Sequence, residues 1–122
     1  MLQANTFKTE TSAITISATS ADASATVVYT CPPNYDAYVD LLHVANNNNS
    51  TKKVYVQLYH ADTTTYHHIL KNFSIAGNSA HTVLDSSTLY LHSGDKILMY
   101  GETTNTMEGL LSAREFFNPN RT

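Results

Sequence analysis

Lys53-Val54-Tyr55-Val56-Gln57-Leu58-Tyr59-His60 alternates without a break: Val54, Val56 and Leu58 fall on one side of an extended chain, Tyr55, Gln57 and Tyr59 on the other. That is the pattern of a β-strand with one apolar face. Across Ala61-Asp62-Thr63-Thr64 follows Thr65-Tyr66-His67-His68-Ile69-Leu70-Lys71, close enough in sequence to return as the second strand of a hairpin. The register stays open, because one residue more or less in the loop exchanges which of His67 and His68 faces the core.

Working back toward the amino terminus, Asn46-Asn47-Asn48-Asn49-Ser50 is too polar and turn-prone for a strand and is expected to be an exposed loop tip. Ahead of it, Ala37 to Val44 is apolar on both parities. A central strand covered on two sides would look like this, and so would one whose phase changes at a bulge. Cys31-Pro32-Pro33-Asn34 forces a loop, since neither proline donates to a ladder. Two further strands precede it, Ser12 to Ala18 and Ala25 to Thr30.

Toward the carboxyl terminus the same spacing continues. Phe73-Ser74-Ile75, Ala80-His81-Thr82-Val83-Leu84 and Thr88-Leu89-Tyr90-Leu91 each read as a short strand, and a turn at His92-Ser93-Gly94-Asp95 leads into Lys96-Ile97-Leu98-Met99-Tyr100. Thr106 to Phe116 carries Met107, Leu110 and Leu111 at helical spacing, but Gly109 weakens a helix and the all-strand context favours a strand.

The expected fold is therefore all-β: a two-layer antiparallel β-sandwich, jelly-roll or Ig-like, of about eight strands. With 122 residues there is room for one domain, which we place at 12–117, with an amino-terminal arm at 1–11 and a carboxyl-terminal tail at 118–122. Charged residues make up 14% of the chain, and Thr (17), Asn (11) and Ser (11) supply the polar surface instead. A net charge of -3 gives no electrostatic footprint for nucleic acid or an anionic membrane. No apolar run nears the roughly 20 residues of a membrane span. Met1 to Glu10 lacks the basic stretch and apolar core of a secretory signal, and Cys31 has no second cysteine to pair with, so synthesis in the cytoplasm of a cell is expected.

Residues able to do chemistry are present, but not in catalytic patterns. Six histidines (His43, His60, His67, His68, His81, His92) contain no His-x-His pair, and a cross-strand zinc site from His60 with His67 or His68 is outweighed by ordinary structural histidines. Gly-x-Ser-x-Gly is missing, and Cys31 reads as a small buried residue rather than a nucleophile. Asp36, Asp40, Asp62, Asp85, Asp95, Glu102 and Glu108 lie in or beside loops, where carboxylates are ordinary turn formers; Asp95 after Gly94 is simplest as turn chemistry. No catalytic residue, metal or cofactor is assigned. Eight tyrosines weigh more. Tyr55, Tyr59 and Tyr66 would share the face opposite Val54, Val56 and Leu58, and with the loop residues Asn47 and Asn48 they form the candidate interaction surface, for protein or for sugar. Coverage of both faces within the domain is the competing reading.

The order of signals is itself informative: Thr26-Val27-Val28-Tyr29-Thr30-Cys31-Pro32-Pro33-Asn34, Val39-Asp40-Leu41-Leu42-His43-Val44-Ala45-Asn46, Val54 to Tyr59, Ile75-Ala76-Gly77-Asn78-Ser79, and Leu89-Tyr90-Leu91-His92-Ser93-Gly94-Asp95-Lys96-Ile97. Over about Thr26 to Tyr100 it resembles small β-sandwich virion proteins of tailed bacteriophages, cyanophages included. Pro33 and the long Asn46 to Asn49 loop depart from the simplest form of that pattern. The resemblance implies a non-enzymatic structural protein of the virion, foremost a capsid decoration (cement) protein that binds and stabilises the assembled shell. A tail, neck or fibre component is the alternative; a further one, from another class and resting on the tyrosines with the Asn46 to Asn49 and Thr103 to Asn105 loops, is a carbohydrate-binding module for host surface glycans. Implied partners are the major capsid protein or tail and neck proteins, and further copies of the chain in a homo-oligomer such as a trimer. It carries over no catalytic residue.

Overall fold

The computed structural model describes residues 7–84 and 87–118, with the backbone alone at 7–10. Nine strands follow one another: β1 (Phe7–Ile16), β2 (Thr26–Thr30), β3 (Tyr35–Asn46), β4 (Lys52–His60), β5 (Thr65–Ile75), β6 (Ser79–Leu84), β7 (Leu89–Leu91), β8 (Lys96–Gly101) and β9 (Met107–Phe117). They build two antiparallel sheets, one ordered β1-β9-β3-β6 with β7 also beside β3, the other β2-β8-β4-β5. The pairs β4–β5, β3–β6, β2–β8 and β1–β9 nest around the β4–β5 hairpin, as if one long hairpin had been rolled up. This is jelly-roll topology, and the expected β-sandwich is the observed one. Of the expected arm at 1–11, residues 1–6 lie outside the described residues and 7–11 already pair with β9 as part of β1; of the expected tail at 118–122, residues 119–122 lie outside the described residues.

Val54 and Val56 of β4 face inward as their alternation requires, and meet Val39, Leu42 and Val44 of β3, Ile97 and Met99 of β8, and Leu111 and Ala113 of β9, all inaccessible to solvent. Each larger aliphatic side chain so buried contributes roughly 1.5–3 kcal/mol relative to exposure. Between Val39 and Leu41 the register of β3 against β9 slips, so that Val39 and Leu42 both reach the core although three residues apart. The double-parity pattern of this stretch is thus a bulge. Gly109, which argued against a helix, has a packing reason as well: a Cβ there would lie 2.6 Å from Met99 Sδ.

Two expectations need correction. Phe73-Ser74-Ile75 is not a separate strand but the end of β5, which runs through two bulges against β4. Asn72 adopts a left-handed φ of 56°, and it serves a bulge within β5 rather than a turn between strands. Asn46 is not a loop-tip residue. It ends β3, is fully buried, and its side-chain amide donates to the carbonyls of Ser50 at 2.9 Å and Ile75 at 2.9 Å while its oxygen accepts from Asn48 N at 3.0 Å. The side chain therefore fastens the start of the loop to the β5–β6 connection.

Candidate interaction surfaces

Tyr55, Gln57 and Tyr59 project from the outer face of the four-stranded sheet, directly opposite Tyr100, Leu98 and Lys96 of β8, while Tyr59 also stands opposite Tyr66 of β5. The three tyrosines picked out from the sequence are therefore together. Tyr55 stacks on Tyr100 with ring centroids 4.4 Å apart, Tyr59 and Tyr66 meet at 4.8 Å, and Lys96 Nζ lies 5.4 Å from the Tyr59 ring. His68 is on this face too, its Nε2 2.9 Å from Tyr100 Oη, whereas His67 pairs with Leu58 and is bonded to Thr65. Burial raises the Tyr100 phenol above its usual range, with Tyr55 and Asp22 adding to the shift.

Part of this face is covered from within the chain. The β1–β2 connection crosses it, placing Ala18, Ala21 and Ala25 against Leu98 and Tyr100. A short 3-10 turn, Asp22–Ser24, pins the connection: Gln57 Nε2 donates to Asp22 Oδ1 at 2.9 Å and Asp22 N donates to Gln57 Oε1 at 2.8 Å. Tyr55, Tyr59 and Tyr66 remain half-buried at its margin. Asn47 and Asn48 are not part of the tyrosine cluster. Asn47 N donates to Thr106 O, and Asn48 O accepts from Asn78 N, so both belong to the loop end of the molecule.

The opposite outer face, on the five-stranded sheet, carries a second aromatic patch that the sequence reading did not single out. Tyr38 stands between Tyr90 at 4.9 Å and Phe116 at 5.5 Å, and Arg114 lies over its ring at 5.2 Å. The guanidinium grips Asp40 in a bidentate pair, Nε to Oδ2 at 2.6 Å and Nη2 to Oδ1 at 3.1 Å, and holds that carboxyl below its usual range. Tyr38 and Tyr90 remain 37% and 42% exposed, far more than core tyrosines. Alternation of Tyr38 and Asp40 with Ala37 and Val39 was the signal for this face, masked by the bulge that follows.

Several groups with chemical potential are engaged in the framework. Asp95 is buried, and its carboxylate accepts from Ala61 N and His92 N, each at 2.9 Å, tying the β7–β8 turn to the β4–β5 hairpin. His60 and His92 approach Asp95 and Asp36 at 3.5 and 3.4 Å. Cys31 is fully buried with its thiol directed to Tyr35 O; burial, reinforced by the charges of Glu115, Asp36 and Asp95, pushes that thiol up to about 12. Tyr29 Oη donates to the buried Glu115 carboxylate, and Glu102 accepts from Lys53 N. Among the described residues no three of His, Cys, Asp and Glu are placed to hold a metal ion. Asp85 lies outside the described residues.

No protein-family model and no curated protein matches the chain. Among solved structures it is similar to a subunit described under "Bacillus endospore appendages form a novel family of disulfide-linked pili", at 16% identity and a TM-score of 0.51, over 93% of this chain and 89% of that one. The globular domain of zebrafish complement 1qA protein aligns at 13% identity and a TM-score of 0.37, over 93% and 98%. The first likeness agrees with the fold and stops there.

Proposed function

We propose that this chain is a non-enzymatic structural protein of a phage particle, a decoration protein that binds the outside of the assembled shell as a homo-oligomer and strengthens contacts between shell subunits. The supporting observation is where the phage-like stretches lie. Thr26 to Asn34, Val39 to Asn46, Val54 to Tyr59, Ile75 to Ser79 and Leu89 to Ile97 occupy strands β2 to β8 of the jelly roll and the connections between them. The resemblance thus follows the scaffold itself. A role built on contact area suits a molecule with an aromatic patch on each outer face and with Asp95 and Cys31 tied into a turn and the core. Many weak contacts repeated over a shell add up to a large linked stabilisation.

The disulfide linkage named for the endospore pili is not part of this reading, because Cys31 is buried and its thiol stays protonated at physiological pH. Deleting the gene from its phage should yield particles that lose DNA at lower temperature, with resistance restored when purified protein is added back. Mutant particles as heat-resistant as the parent would count against a cementing role.

A further inference from the structure

The four edges of the sandwich are managed unequally. β5 is broken by two bulges and carries Lys71, β2 has five residues and a bulge, and the β3 side of the larger sheet is shared between six-residue β6 and three-residue β7. These are the ordinary devices that blunt a sheet edge. β1 is neither short nor bulged, and its charges, Lys8 and Glu10, are confined to its first half. It matches β9 residue for residue from Phe7 to Ile16 with no register shift, contains no proline, and from Thr11 to Ile16 bears no charge. Among the described residues β9 is its sole ladder partner, so one side of a ten-residue strand offers its backbone donors and acceptors outward.

A second observation marks the same flank. β1 and β2 lie side by side at this corner, where Ser12 Oγ donates to Val28 O at 2.7 Å. Ile14 on β1 is 37% exposed, a large aliphatic side chain left in solvent. An open edge bearing an exposed aliphatic group is a surface made to be covered.

We propose that β1 pairs with β1 of a second copy, antiparallel about a two-fold axis, joining the two five-stranded sheets into one continuous sheet. The occupant follows from self-complementarity. Antiparallel strands related by a two-fold present matching rows of donors and acceptors, the Thr11–Ile16 stretch brings no like charges together, and Ile14 of each copy gains apolar cover. A partner selected for charge would find nothing to read there. The pairing does not depend on the phage assignment, although it gives the homo-oligomer of that assignment a surface and a symmetry.

Analytical ultracentrifugation of the full chain across micromolar concentrations, with hydrogen exchange on the same samples, tests this. The expected result is a species of two 13.5 kDa chains, with β1 amides exchanging at least tenfold more slowly at high than at low concentration. Thr11→Lys with Ile14→Lys should return the protein to monomer, and Ala80→Lys on the opposite edge should leave the dimer intact. A monomer at every concentration, a trimer, a dimer that survives Thr11→Lys/Ile14→Lys, or a dimer whose β1 amides gain no protection would each overturn it. The exchange result on the unaltered chain decides the matter even if the lysine variant fails to fold.

Discussion

Gln57 and Asp22, thirty-five positions apart, hold each other through two reciprocal hydrogen bonds, at 2.9 and 2.8 Å, with Gln57 only 1% exposed. The middle polar residue of the strand that announces the fold thus clamps the segment covering its own outer face. Asp22 accepts a left-handed φ of 61° to make this contact. Asp22→Asn keeps both the conformation and the acceptor oxygen and should be nearly neutral. Asp22→Ala loses the acceptor and strains the backbone, at about 1–3 kcal/mol. Urea denaturation of the two variants measures the difference, and equal stabilities would show that the clamp is idle.

Cys31 gives a pH-dependent prediction. Its thiol is raised from 9.0 to about 12 by folding, so the native state holds the proton more tightly than the unfolded chain. The associated stability is complete below pH 9 and is lost as pH rises toward 12, at up to about 1.4 kcal/mol per pH unit. Cys31→Ala should flatten that decline by up to one proton. In the native protein at pH 8 a thiol reagent should react with Cys31 only at the rate of unfolding; immediate stoichiometric labelling would contradict the burial.

Asn46 predicts a contrast between two near-isosteres. Its amide group donates to buried carbonyl oxygens, so Asn46→Asp would set a carboxylate against them, whereas Asn46→Ala leaves them without that donor. The alanine change should cost about 1–3 kcal/mol and the aspartate change more at neutral pH. Thermal melts at pH 4 and pH 7 should show the aspartate variant recovering as it is protonated. An aspartate variant as stable as the parent at pH 7 would contradict this placement.

Gly109 and Met99 form a coupled pair across the core. Gly109→Ala places a Cβ 2.6 Å from Met99 Sδ and should cost about 1–3 kcal/mol. Shortening Met99 to alanine alone opens a cavity, at about 2–5 kcal/mol. Together the two changes should cost less than their sum, because each relieves the other. Strict additivity in a double-mutant cycle would mean that the side chains do not compete for one space.

The legible parts of this fold were those governed by local pattern. Val54, Val56 and Leu58 declared both strand and face, and the double-parity run around Val39 announced either two covers or a bulge. Harder positions depended on distant partners. Asn46 belongs to a run of asparagines, and only the carbonyls of Ser50 and Ile75 make it a core residue. Asn72 carries a turn-former's identity but lies in a bulge, so β5 looked like two strands. The grouping of Tyr55, Tyr59 and Tyr66 followed from strand parity, whereas Tyr100 joined them only through the β4–β8 pairing. Tyr38, Tyr90 and Phe116 come from three strands whose adjacency no short-range signal states.

The most direct test of the proposed role is quantitative mass spectrometry of purified particles of the phage proposed to encode it, comparing this protein's copy number with that of the major shell subunit. A decoration protein should be present in the same order of abundance as the shell subunit. A handful of copies per particle would assign it to the tail, neck or fibre instead, and absence from the particles would contradict a structural role in the virion.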